Sequence, residues 1–213
     1  MAHIPDGIVS VSILIAGAGV TVAGCGYALR RLPTERIPQV AILSAVFFVA
    51  SLVHFPVGPG SVHLILNGLT GVVLGWASFP AILIALMLQA VLFGFGGVVV
   101  LGVNVMNMAI PAVISGLLFK LLHRRAAGNH RRSVITAGFC GGLGVLLTTL
   151  AVALSLGLSG REFIPAAKLI VFTHVPVMVI EAAFTAAAIG LVLRVKPEFI
   201  SGSGKPATTE GME

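Results

Sequence analysis

The chain has 213 residues, 57% of them hydrophobic and only 9% charged, with a mean hydropathy of +1.09. Soluble domains carry about 25% charged residues, so this composition excludes a soluble globular enzyme and belongs in a bilayer. The net charge of +6 says little about nucleic acid, because the charge of a membrane protein is read loop by loop.

The first residues, Met1-Ala2-His3-Ile4-Pro5-Asp6-Gly7, hold Asp6 and no basic stretch, so no removable signal peptide is expected. The small Ala2 favours loss of Met1, which leaves a free amine on Ala2 followed at once by His3. Three nitrogens are then spaced for one metal ion: the Ala2 amine, the His3 amide and the His3 ring. Amine and amide close a five-membered chelate ring, and amide and Nδ1 a six-membered one. Tetragonal nitrogen ligation points to Ni(II) or Cu(II). One corner stays open for a second imidazole, and Pro5 stiffens the segment. Taken alone, His3 is more often a solvated terminal residue than a ligand.

Residues 8–29 form a first span, since about 20 apolar residues cross a bilayer. Gly19-x-x-x-Ala23 and Gly24-x-x-x-Ala28 in it admit close helix approach, within the subunit or to a partner. A short loop with Arg30, Arg31, Glu35 and Arg36 leads to a second span over 39–53. His54-Phe-Pro-Val-Gly-Pro-Gly-Ser-Val-His63 reads as a turn-rich connection. A third span over 62–78 ends in a tight turn at Phe79-Pro80, and a fourth covers 81–93. The glycine-rich stretch from Gly94 to Gly102 is irregular backbone, tolerated in a membrane only when buried or lining a cavity. A fifth span covers 104–122, with Pro111 as a candidate kink. A basic loop with His123, Arg124, Arg125, His130, Arg131 and Arg132 precedes a sixth span over 134–158. The seventh, over 166–193, is long enough to bend. Residues 196–213 are rich in Gly, Ser, Thr and Pro and read as a disordered tail behind a 1–195 transmembrane domain.

The fold expected is therefore all-α, a polytopic bundle of seven transmembrane helices. Arg30, Arg31, Arg36, Arg124, Arg125, Arg131, Arg132, Arg194, Lys196 and Lys205 collect at one end, while the other holds little beyond Arg161 and Lys168. The positive-inside rule then puts the N-terminus outside and the C-terminus in the cytoplasm. Ala2, His3 and His63 share the outer face, so His63 can supply the fourth ligand.

Other polar residues offer weaker candidates. Asn67 lies one turn from His63 and could support its ring. Asn104 and Asn107 are amides inside a span, where such groups face the interior or a cavity; they read as orienting the N-terminal segment. His54 reads as interfacial, and Met106 and Met108 as packing. Gln89, His174 and Glu181 could be structural hydrogen-bonders, proton-relay members or interface groups. Cys25 and Cys140 have no paired spacing and read as buried inert thiols. No HExxH, GxSxG or catalytic dyad occurs. Ser-Gly-Ser-Gly-Lys205 is followed by Pro206 where a phosphate loop needs Ser or Thr, so this chain is not expected to hydrolyse ATP.

The N-terminal His-Ile-Pro-Asp-Gly, the Gly-x-Gly-Ser-x-His63 loop, Phe-Gly-Phe-Gly-Gly97 and Gly102-Val-Asn104-Val-Met-Asn107-Met-Ala resemble the CbiM/NikM family, the substrate-binding membrane subunits of energy-coupling-factor nickel/cobalt importers. The resemblance covers residues 3–193. It implies a seven-helix bundle with the N-terminus inserted into its core. It also implies metal ligation by the terminal amine, the amide and imidazole of the next residue, and a histidine before the third helix, here Ala2, His3 and His63. The implied partners are a transmembrane coupling subunit, two cytoplasmic ATPases and a small accessory membrane subunit; the ion is cargo and no cofactor is expected. Family members commonly begin Met-His, whereas this chain begins Met-Ala-His. Loss of Met1 restores the geometry; retention adds a second amide and makes His63 unnecessary. The competing readings are a stand-alone secondary transporter or channel built on Gln89, His174 and Glu181, and a membrane scaffold without transport.

Overall fold

A computed structural model describes residues 3–57, 60–126 and 129–201. The helices are α1 (Val11–Arg30), α2 (Ile37–Ala50), α3 (Asn67–Leu74), α4 (Ser78–Phe93), α5 (Leu101–Arg125), α6 (His130–Ser159), α7 (Ile164–Thr173), α8 (Val175–Val195) and a single turn, α9 (Glu198–Ser201). By length and composition, five helical stretches are apolar enough to cross a membrane: Val11–Arg30, Asn67–Phe93 (broken at Gly75 between α3 and α4), Leu101–Arg125, His130–Ser159 and Val175–Val195. The last expected span does bend, dividing at His174 into α7 and α8, with Pro176 in the first turn of α8, where its missing N–H is tolerated.

Two expectations need correction. The fold is not purely helical: β1 (His54–Val57) pairs antiparallel with β2 (Gly60–His63), and His54 faces His63 in the register. Proline and glycine there read as helix breakers, but proline is also accepted in edge strands. The chain also reverses at Gly75 rather than at Phe79-Pro80. Gly75 sits at φ 59°, ψ −124°, a left-handed conformation that favours glycine, and Pro80 instead lies in the first turn of α4. The segment expected as tail starts with α9, whose Ile200 is buried; residues 202–213 lie outside the described residues.

Helix α3 is the wedge of the bundle. At about 1.5 Å per residue its eight residues span only ~12 Å, so it gains its place by contact. A Cβ on Gly68 would fall 2.6 Å from the Gly141 backbone, and one on Gly71 would overlap the Ala112 carbonyl at 1.8 Å. Backbone-to-backbone approach of this kind is what joins helices in lipid. Around this wedge, α5 packs on α1, α3, α4 and α6, and α6 runs along α8. The central core gathers Ile65, Phe79, Ile82, Met108, Val145 and Val177, and a second cluster around Ile4, Val100, Val103 and Leu156 ties down the N-terminal segment. The bundle's outside is apolar, with Ile15, Val22, Leu92, Phe139 and Phe172 all exposed, as a lipid-facing surface requires.

Candidate metal centre

The N-terminal segment is inside the protein. His3 and Ile4 are 7% and 2% exposed. An irregular segment buried this way has backbone donors and acceptors to satisfy, and α5 satisfies those of Ile4. Ile4 N donates to Asn104 Oδ1 at 3.0 Å, and Asn104 Nδ2 donates to Ile4 O at 3.0 Å. One amide side chain thus holds both polar groups of one peptide residue, a two-point clasp that sets position and direction together. Farther along, Asp6 N donates to Gly96 O at 3.3 Å and Val100 N donates to Asp6 Oδ1 at 2.9 Å. The glycine-rich stretch exists to let this segment lie down: a Cβ on Gly97 would fall 2.1–2.3 Å from the Asp6 carboxyl group.

His63, 3% exposed, ends β2, and Leu64-Ile65-Leu66 carries the chain into α3. Leu66 stands at φ 51°, a conformation costly for a side chain with a Cβ. Its segment is held by Glu181 of α8, fully buried. Ile65 N donates to Glu181 Oε1, and Leu66 N donates to both carboxylate oxygens at 2.7 and 2.9 Å. Glu181 therefore anchors the polypeptide immediately after His63. This role is invisible in sequence, because its recipients are backbone N–H groups 115 and 116 residues away.

The two segments bring the imidazoles of His3 and His63 side by side, with ring centroids 4.9 Å apart and planes at 14°. His63 Nδ1 lies 2.8 Å from Leu64 O; a carbonyl only accepts, so Nδ1 carries the proton and the lone pair is on Nε2, the arrangement usual for metal-ligating histidines. With metal–nitrogen bonds of about 2 Å, imidazoles on neighbouring corners of a square plane have centroids roughly 4–5 Å apart, and on opposite corners about 6 Å. The observed spacing fits neighbouring corners. Among the described residues no three His, Cys, Asp or Glu side chains cluster as a metal site. Ala2, the expected amine donor, lies outside the described residues.

The remaining candidates are dispersed. Asn67 turns away from His63: its Nδ2 donates to Thr148 Oγ1 at 2.6 Å and to the Gly144 and Met108 carbonyls at 3.2 and 3.4 Å, which bolts α3 to α5 and α6. Asn107 accepts from Ser155 Oγ at 3.1 Å and lines a 330 Å³ cavity between α1, α5 and α6. Met108 is core packing. Gln89 is fully buried, and its side-chain amide makes no hydrogen bond with the described residues. His174 Nδ1 lies 2.8 Å from Ile170 O at the α7–α8 joint.

This arrangement has known counterparts. The CbiM family profile, described as cobalt uptake substrate-specific transmembrane region, matches residues 3–199. The chain belongs to the CbiM family. A Haemophilus influenzae protein named "Putative metal transport protein" is 43% identical over 203 residues, covering 93% of this chain and 97% of that one. The fused nickel transport protein NikMN of Rhodobacter capsulatus is 30% identical over 230 residues, covering 98% of this chain and 66% of its own. A solved structure of a transition metal transporter superposes with a TM-score of 0.76 at 26% identity, covering 91% of this chain and 93% of the other. This CbiM-family chain is accordingly a multi-pass integral membrane protein of a prokaryotic cobalt/nickel uptake system.

Proposed function

We propose that this chain is the substrate-capture subunit of an ATP-driven energy-coupling-factor importer and binds Ni(II) or Co(II) at its N-terminal segment. The observation that carries the reading is the buried pair of His3 and His63 rings at 4.9 Å, each on a backbone held by a side chain from another helix. The ligands are the Ala2 amine, the His3 amide and ring, and His63 Nε2. Asn104 sets the first segment and Glu181 the second. An amide nitrogen binds metal only when deprotonated, so binding releases protons and weakens as pH falls.

The bundle crosses the membrane seven times in this reading, counting α2, α3 with its extended lead-in, and α7–α8 as one crossing each, with the N-terminus outside. Support comes from the arginines that gather at the α1–α2 and α5–α6 connections. A coupling membrane subunit and two ATPases supply the energy, together with a small accessory membrane subunit, since this chain carries no nucleotide site motif. The alternative of a stand-alone cation path is disfavoured by Glu181, whose carboxylate is engaged with two backbone donors.

Metal analysis and intact mass on purified protein provide the test. One Ni or Co per chain, absent in His3→Ala and in His63→Ala, with Met1 missing from the mass, is the expected result. Full metal occupancy in His3→Ala would sink the site. Uptake into vesicles that persists without ATPase subunits would favour the stand-alone transporter.

A further inference from the structure

At the end of the bundle opposite the histidines, three cations converge, and among the described residues no carboxylate pairs with them. A pocket of about 280 Å³ opens between the α1–α2 connection, the end of α5 and α9, lined by Arg36, Lys120 and Arg124 over an apolar floor that includes Phe119 and Ile200. One wall is the His123 ring, stacked on Phe119 at 5.2 Å. The charges acting on Lys120 are those of Arg36 and Arg124, both of its own sign, and among the described residues no ion pair relieves them. Arg36 is fixed in place, donating from Nη2 to Val73 O at 3.0 Å and from Nε to Gln39 Oε1 at 3.1 Å. Lys120 Nζ lies 3.5 Å from where a Cβ on Gly75 would stand, beneath the chain reversal. Three like charges held around one concavity at this cost call for an anion.

The depth of the pocket narrows the choice. The only Trp and only Tyr of the chain, Trp76 and Tyr27, meet edge to face at 4.7 Å beside Gly75, and Arg31 lies 4.6 Å over the Tyr27 ring. Aromatic rings and arginines in this arrangement mark the headgroup level of a bilayer. Just above it, Leu117 and Leu121 of α5 are half exposed, as acyl-facing residues are. A basic pocket between helices at that level is suited to phosphate on an anionic lipid. We propose that the pocket formed by Arg36, Lys120 and Arg124 binds a phosphate group, held by an anionic phospholipid whose glycerol and upper acyl chain lie against Phe199, which lines the pocket and is 41% exposed. The site does not depend on the metal reading.

The experiment is native mass spectrometry of the full chain in non-ionic detergent with phosphatidylglycerol or phosphatidylcholine. The wild type is expected to retain phosphatidylglycerol preferentially. Lys120→Gln with Arg124→Gln should weaken that retention by about fivefold per cation removed, whereas Lys120→Arg should keep it. The control pair Arg30→Gln with Arg131→Gln removes equal charge from exposed positions outside the pocket and should leave retention unchanged. Millimolar inorganic phosphate or glycerol phosphate distinguishes the source: lipid that survives it is the ligand, and lipid displaced by it assigns the same pocket to a soluble phosphate. Equal retention of the two lipids overturns the proposal. So does an unaltered Lys120→Gln, Arg124→Gln protein, or an equal loss in the control pair. Nickel binding by all variants should match wild type; failure of nickel binding in the wild type would remove the metal reading and leave this site standing.

Discussion

The two histidines sit on segments that solve one problem by different chemistry. Both are irregular backbone buried in a membrane protein, where unpaired peptide groups are costly. The His3 segment is clasped by a neutral amide, Asn104, that gives and takes one hydrogen bond. The His63 segment is held by a carboxylate, Glu181, that only accepts, and from two consecutive N–H groups. A neutral clasp can let go and re-form with little electrostatic penalty, whereas a buried carboxylate without its donors is strongly destabilised. The difference suggests a division of labour: Glu181 makes a fixed platform for His63, and Asn104 a latch for a chain end that must fold in around the ion.

Breaking the platform should have the largest effect. Glu181→Leu leaves two buried N–H groups unsatisfied beside a strained Leu66, at a cost on the order of 3–5 kcal/mol, and metal binding should be lost with the fold. Thermal melting in detergent reads the first, metal analysis the second. Glu181→Gln sharpens the point. Its carbonyl can still accept from Ile65 and Leu66, which both reach Oε1, while its NH2 replaces the Oε2 contact with Leu66; about half the lost stability should return. Wild-type melting in Glu181→Leu would remove Glu181 from the platform.

Breaking the latch should separate binding from stability. Asn104→Leu removes both bonds to Ile4, and metal affinity should drop roughly 10–100-fold, the range for residues that orient ligands, with a smaller fall in melting temperature than Glu181→Leu. Titration calorimetry with Ni(II) makes the measurement. If Asn104→Leu and Glu181→Leu lower affinity and stability in the same proportion, the proposed division of labour is wrong.

Much of this pair was legible before the structure, and the reasons are physical. Asn104 could be singled out because a polar amide inside an apolar span must face something polar, and its motif neighbours narrowed what that was. Asn107 obeyed the same logic yet binds Ser155 instead, and Asn67, picked for its helical spacing from His63, binds Thr148 because His63 ends β2 and the helix begins only at Asn67. Glu181 stayed open among three roles because backbone N–H groups have no sequence identity. The hairpin at His54–His63 hid behind its prolines and glycines, and the division of the final span at His174 was foreseen only as a bend.

A milder perturbation tests whether the latch needs its bed as well as its clasp. Gly97→Ala puts a methyl group within 2.1–2.3 Å of the Asp6 carboxyl group, so that exposed side chain must swing aside and give up its bond from Val100 N, at about 0.5–1.5 kcal/mol. Asp6→Asn at the same contact keeps an oxygen for Val100 N, and its effect should stay within about 0.5 kcal/mol. If Gly97→Ala lowers nickel affinity while Asp6→Asn does not, shape rather than charge seats the chain end. If Asp6→Asn lowers it as much, the carboxylate itself is part of the latch, and the N-terminal segment would share with Glu181 the use of an anion to hold backbone donors. The two segments would then differ only in how many donors each anion holds, and the idea of a neutral, reversible latch on the His3 side would have to be given up.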